Sequence, residues 1–212
     1  MSEQFTNLYP EYDVLDKWET PSWNEVTRSV VQKRLHEIPE RRFFNEQQWL
    51  TLTAVCDRII PQPERSQPVP IAPWIDARLF KGQGTGTRYA SLPPEQESWR
   101  RGMDAIEAEA QHRYRRSFHR LDRVEQDRLL RSMDNNEVEA AAWQDLPSKS
   151  FFRHVVLRAV VEIYYAHPAA WSEIGFGGPA SPRGYVRLDA NRRDQWEAIE
   201  QKPAAAQRLY PK

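Results

Sequence analysis

The sequence predicts an all-α fold, irregular, with long connections and an extended N-terminal arm. Three observations support this. Apolar residues recur at three- and four-residue spacing in several segments. No strand-type alternation appears, since the short valine runs fit helices equally well. Proline- and glycine-rich runs punctuate the helical stretches. With 212 residues and 40% hydrophobic content the chain has material for one large core. It divides into an arm, 1–42, and a helical body, 43–212.

The arm is polar, with scattered aromatics at Tyr9, Tyr12, Trp18 and Trp23. Within it NEVTRSVVQKRL, from Asn24 to Leu35, reads as an amphipathic helix with Val26, Val30, Val31 and Leu35 on one side. An arm with aromatic anchors and little core of its own wraps over something, either its own body or a partner. The body's first helix starts at Asn45, an N-cap residue followed by Gln48 at the third helical position. Trp49, Leu52, Cys56, Ile59 and Ile60 keep helical spacing until Pro61 stops the run. PQPERSQPVP is then a stiff, extended link, and IAPWIDARLF a short helix. KGQGTGT follows; Gly82, Gly84 and Gly86 lack the spacing and the preceding strand of a dinucleotide loop, so they read as a flexible turn.

Pro93 and Pro94 open the next helix, whose stripe is Trp99, Met103, Ile106, Ala110 and Tyr114. Asp122 and Glu125 predict a capping box for VEQDRLLRSM, and EVEAAAWQ a weaker helix. From Ser148, SKSFFRHVVLRAVVEIYYAH is the most apolar helix. Phe151, Phe152, Val155, Val156, Ala159, Val160, Ile163 and Tyr164 cover two adjacent rows, which predicts the central core helix, ending at Pro168.

Lysine plus arginine equals aspartate plus glutamate at 30 each, which argues against a nucleic-acid partner. The local run HRYRRSFHRLDR at 112–123 reads as a solvated helix face. The single cysteine, Cys56, sits among apolar residues as a buried, inert thiol. No apolar run reaches membrane-spanning length. The N-terminus has neither the basic nor the apolar region of a signal peptide. Arg41-Arg42-Phe43-Phe44 imitates a twin-arginine leader, but charged and amide side chains follow where an apolar segment belongs. A cytoplasmic location is therefore expected.

Reactive constellations are hard to assemble from these residues. His36, His112, His119, His154 and His167 include no i,i+4 pair, and HExxH is absent, so no metal site is expected. There is no GxSxG elbow. Glu162 interrupts an apolar helix; it reads as the partner of an arginine or a tyrosine, with general acid–base work as the alternative. No catalytic or cofactor-binding residue is assigned.

The segment YYAHPAAWSEIGFGGPASPRGY, 164–185, concentrates aromatics between prolines and glycines. Tyr164, Tyr165, Trp171, Phe176 and Tyr185, with Trp18 and Trp23 from the arm, are the candidate partner-binding residues, because large rigid side chains dominate interfaces. The alternative is a lid folded onto the chain's own core. His167 joins this set as a group able to reach a partner's cleft, although its position reads first as a cap on the preceding helix.

Taken in order, four pieces resemble the gluconate 2-dehydrogenase subunit 3 family: FFNEQQWLTLTAVCDRIIPQP, PVPIAPWIDARL, FHRLDRVEQDRLLRSM and FFRHVVLRAVVEIYYAHPAAWSEIGFGGPASPRGY. They cover about residues 43–186 and leave the arm outside. The resemblance implies a non-catalytic small subunit that binds, stabilises and helps fold a large dehydrogenase subunit. That large subunit would be of the glucose–methanol–choline oxidoreductase (GMC) type, carry the FAD, and oxidise sugars, sugar acids or glycosides. It would pass electrons to a cytochrome or another redox protein. Many relatives carry a twin-arginine leader, which this chain lacks. A transient folding chaperone and a stand-alone enzyme using Glu162 are the competing expectations.

Overall fold

Asn45 begins the body as its side chain suggested. In the computed structural model its Oδ1 accepts the N–H of Gln48 at 2.9 Å, and Gln48 returns the bond to the Asn45 N–H at 3.3 Å. Residues 8–84, 86, 89–179, 197–199 and 201 are described by the structure. The fold is all-α, without a strand among those residues, and none of their helices is long and apolar enough to cross a membrane. The helices are α1 (Glu25–His36), α2 (Glu46–Ile59), α3 (Ile71–Phe80), α4 (Glu95–Tyr114) and α5 (Arg123–Asn135). A final run then comprises α6 (Ser148–Phe151), a π-helical stretch (Phe152–Leu157) and α7 (Arg158–Ala166), followed by α8 (Pro168–Trp171).

The chain forms two compact units, Ile38–Tyr164 and Met1–Glu37 with Tyr165–Lys212. The boundary after the arm thus falls at 37/38 where the sequence reading drew it at 42/43, and a second falls at 164/165.

In the larger unit, a buried carboxylate ties the entry segment to α3. Asp76, fully buried, accepts the backbone N–H groups of Arg42 at 2.6 Å, Phe43 at 3.0 Å and Phe44 at 2.9 Å. Three successive donors on one carboxylate fix the direction in which Phe43 and Phe44 enter the core. Phe44 meets Trp99 of α4 edge-on at 6.1 Å.

α4, rather than the run from Ser148, is the helix with the longest buried face: Ser98, Trp99, Gly102, Met103, Ala105, Ile106, Glu109 and Ala110. It starts at Glu95, with Pro94 at the cap position instead of inside the first turn. Phe151 packs where α4 has no side chain. A Cβ at residue 102 would lie 2.0 Å from Phe151 Cζ, so only glycine admits the ring. Trp99 and Trp143 meet the same ring at 6.1 and 6.4 Å between centroids.

The run from Ser148 buries one row in full and the second only at Ala159. Phe151, Val156, Val160 and Tyr164 are buried, as is Ala159, while Phe152, Val155 and Ile163 are half-buried. The π-helical turn explains this: its wider winding sets the first two members of the row five positions apart and the others four. Val161 is consequently 39% exposed.

EVEAAAWQ does not form a helix; only the single 3₁₀ turn Ala141–Trp143 is present. Glu109 competes for the donors. Fully buried, it accepts the N–H of Glu139 at 3.0 Å, the N–H of Ala140 at 2.8 Å, Trp143 Nε1–H at 3.1 Å and Arg113 Nε–H at 2.5 Å. α5 keeps its expected capping box between Asp122 and Glu125.

Two outcomes follow. Gly102→Ala should destabilise the protein by about 1–3 kcal/mol in urea unfolding, because overpacking against Phe151 outweighs alanine's better helix propensity. Burial alone would raise the Glu109 carboxyl, but the backbone donors of Ala140 and Glu139 and the Arg113 guanidinium hold it below its ordinary value of 4.5. A depressed carboxylate contributes stability that is complete above that ordinary value and lost as pH falls through the folded one. Acid unfolding should therefore lose part of its pH dependence in Glu109→Gln. That variant should also cost about 3 kcal/mol at neutral pH, since the Arg113 charge loses its buried partner.

Candidate partner-binding surface

The smaller unit is organised around Trp171. Val14, Trp23, Val31 and Trp171 form its buried cluster, with Tyr12, Leu15, Trp18 and Leu35 packed against it. α1 contributes Thr27 and Val31 to the buried side, whereas Val26 is 72% and Val30 47% exposed. The four residues expected on one face are thus split, because Val31 and Leu35 lie on the row that faces Trp171's cluster and Val26 and Val30 on the next row outward.

Polar contacts draw the arm over segment 165–179. The Val14 N–H donates to Ser172 Oγ at 3.0 Å, Lys17 Nζ to the Gly177 carbonyl at 2.9 Å and Trp23 Nε1–H to the Pro179 carbonyl at 3.1 Å. Trp171 Nε1–H donates to the Tyr165 carbonyl at 3.0 Å. Gly175 and Gly178 have left-handed backbone, φ 64° and 69°. A Cβ at Gly175 would stand 2.6 Å from the Tyr9 ring, and one at Gly178 would stand 2.9 Å from Trp23. The Tyr12 hydroxyl is pushed up to about 12, chiefly by burial and then by Asp13.

These contacts decide how the expected partner-binding residues are used. Trp23 and Trp171 are 2% and 3% exposed, so they are core residues of the unit rather than presented side chains. Segment 165–179 is to that extent the lid that the sequence reading held as its alternative, and the arm is what covers it. Tyr164 and His167 are also buried, and the Arg65 guanidinium lies 5.8 Å from the Tyr164 ring centroid. Trp18 and Tyr165 are half-buried. Phe176 is exposed, packed edge-on to Trp171 at 5.4 Å, with Ile174 exposed nearby in sequence. Tyr185 lies outside the described residues.

His167 is a cap, but of the following helix. Its Nδ1 accepts the N–H of Ala169 at 3.3 Å, and Pro168 occupies the first turn of α8. A residue before proline is pushed out of helical conformation, so His167 terminates α7 by extending and then caps α8. Lys17 and Ser172 were not singled out by sequence reasoning. The available signal was a lysine between aromatics in the arm.

The larger unit holds a cavity of about 220 Å³ lined in part by Arg78, Tyr89, Glu95, His154, Arg158 and Glu162. Glu162 receives Arg158 Nε–H at 2.6 Å and lies 3.7 Å from Arg78, which also bonds Glu95 at 3.0 Å. Its charge is answered by two guanidiniums, the structural role weighed for it. Tyr89 stacks on His154 at 4.0 Å. Burial, with Asp57 adjacent, drives the Cys56 thiol far up, away from thiolate chemistry. Among the described residues, no three histidine, cysteine, aspartate or glutamate side chains gather to hold an ion.

Gly178→Ala should loosen the arm without unfolding the larger unit. The left-handed backbone costs alanine about 1–2 kcal/mol, before any contact with Trp23. Amide exchange of residues 14–35 should accelerate about tenfold.

The model of the family described as gluconate 2-dehydrogenase subunit 3 matches residues 46–178. That span runs from the first residue of α2 to the glycine beneath Trp23 and leaves the arm outside. No curated protein and no solved structure matches the chain. With well over half of its length matched, the chain belongs to the gluconate 2-dehydrogenase subunit 3 family.

Proposed function

We propose that this chain is the non-catalytic small subunit of an FAD-dependent, GMC-type dehydrogenase acting on sugars, sugar acids or glycosides. Membership of the subunit family, over residues 46–178, carries this reading. The large subunit holds the FAD and the redox residues and hands electrons to a cytochrome or another redox protein. The small one binds it, stabilises it and assists its folding.

The use of the side chains supports the assignment. Glu162 is committed to ion pairs, and Glu109 and Asp76 serve the chain's own backbone. Arg41 pairs with Glu46 and the Arg42 N–H is held by Asp76, so the twin-arginine look-alike belongs to the folded body. Assembly in the cytoplasm is part of the proposal. On the smaller unit, Phe176, Ile174 and the half-buried Trp18 and Tyr165 remain for contact with the large subunit.

Co-expression with the FAD-binding dehydrogenase subunit, followed by size exclusion, should give one peak containing both polypeptides and flavin absorbance. Phe176→Ala should weaken that assembly by about 2 kcal/mol, roughly thirtyfold in Kd. Separate elution of an active flavoprotein would indicate a transient chaperone instead. Turnover by the isolated small chain would refute the non-catalytic role.

A further inference from the structure

Most described arginines of the larger unit have a partner, Arg42 on Glu40 and Arg100 over the Phe43 ring among them. Exposed Arg41, Arg116, Arg153 and Arg158 each hold a carboxylate. Arg115, Arg120, Arg123, Arg128 and Arg131 are exposed too, yet no carboxylate, carbonyl or ring answers any of them among the described residues. All five lie between the end of α4 and the last turns of α5, in a chain whose formal net charge is zero.

α5 arranges part of this charge. Gln126, Leu129, Leu130 and Met133 face inward, and Val124, Arg128, Arg131 and Asn135 form the outward stripe at four-, three- and four-residue spacing. Eleven residues of helical rise make that stripe about 16 Å long. It lines a groove of about 450 Å³, with Arg113 and Glu137 also on its wall. Arg113 is already held by Glu109, leaving Arg128 and Arg131 as the unanswered cations among the described residues that line the groove.

We propose that the α5 groove docks a carboxylate-bearing segment of the dehydrogenase partner, with Arg128 and Arg131 as its principal contacts. The inference rests on the subunit reading. Guanidinium forks match carboxylates in geometry, and neighbouring unanswered cations repel one another until a partner supplies the counter-charges. The surroundings favour a protein over a nucleic acid. Glu137 also lines the groove, interrupting the continuous positive potential that a phosphate chain needs, while Asp127 there is neutralised by Arg58. Val124, 64% exposed, gives one end of the stripe an apolar contact.

The test uses the full chain, tagged and co-expressed with the FAD-binding subunit, against the double variant R128E/R131E. Neither side chain has an intrachain partner, so the thermal transition of the variant should match wild type. Flavoprotein retention should fall about tenfold or more, and wild-type retention should weaken as salt rises. A variant that retains the flavoprotein as well as wild type overturns the docking inference and leaves the subunit reading intact. A wild-type chain that holds no flavoprotein overturns both. If charge reversal abolishes binding to duplex DNA while flavoprotein retention is unchanged, the groove serves a nucleic acid and the inference is wrong.

Discussion

Phe151 occupies the space that any side chain at residue 102 would fill, and the larger unit is built outward from that contact. The ring is bracketed by Trp99 and Trp143. Trp99 carries the packing on to Phe44, whose backbone is held by Asp76. Trp143 is fixed by Glu109, which also takes the amides of Glu139 and Ala140. One missing Cβ and two buried carboxylates therefore set how α3, α4 and α6 meet. A close-packed interior tolerates little adjustment around such a contact. Buried carboxylates are costly unless their lone pairs are filled, and both here accept several donors.

The smaller unit has a comparable constraint in Trp171. The arm lies outside the family span, yet it supplies Val14, Trp23 and Val31, the other members of the buried cluster around that indole. Lys17 and Trp23 also donate to the carbonyls of Gly177 and Pro179, closing backbone acceptors that a loop would otherwise leave to water. The aromatic richness of 164–185 is thus largely internal as far as Pro179. The surface proposed for the partner is narrower: Phe176, Ile174 and half-buried rings on this unit, and the arginine stripe of α5 on the other.

Features with a local physical cause could be read from the residues. The capping boxes at Asn45 and Asp122 need only side chains three positions apart, and both are present. The proline stops and the inert Cys56 are similarly local. Long-range competition was not legible. Nothing in EVEAAAWQ announces that a glutamate thirty residues upstream will take its amides. Nothing in FFRHVVL marks the π-helical turn that rotates Phe152 and Val155 out of the buried row. His167 was read as a cap on the wrong helix because proline's effect on its predecessor acts forward into α8. In the candidate site, Trp23 and Trp171 were assigned to a partner, yet both are buried in this chain's own cluster, because periodicity cannot say whether an aromatic's pocket belongs to the same chain.

The central claim is that the chain works only as part of a flavoprotein. Native mass spectrometry of the complex purified from co-expressing cells tests it most directly. The account predicts a hetero-oligomer with FAD that stays with the larger polypeptide when the subunits are dissociated. FAD retained by this chain alone, or a monomeric chain indifferent to the flavoprotein, would contradict it.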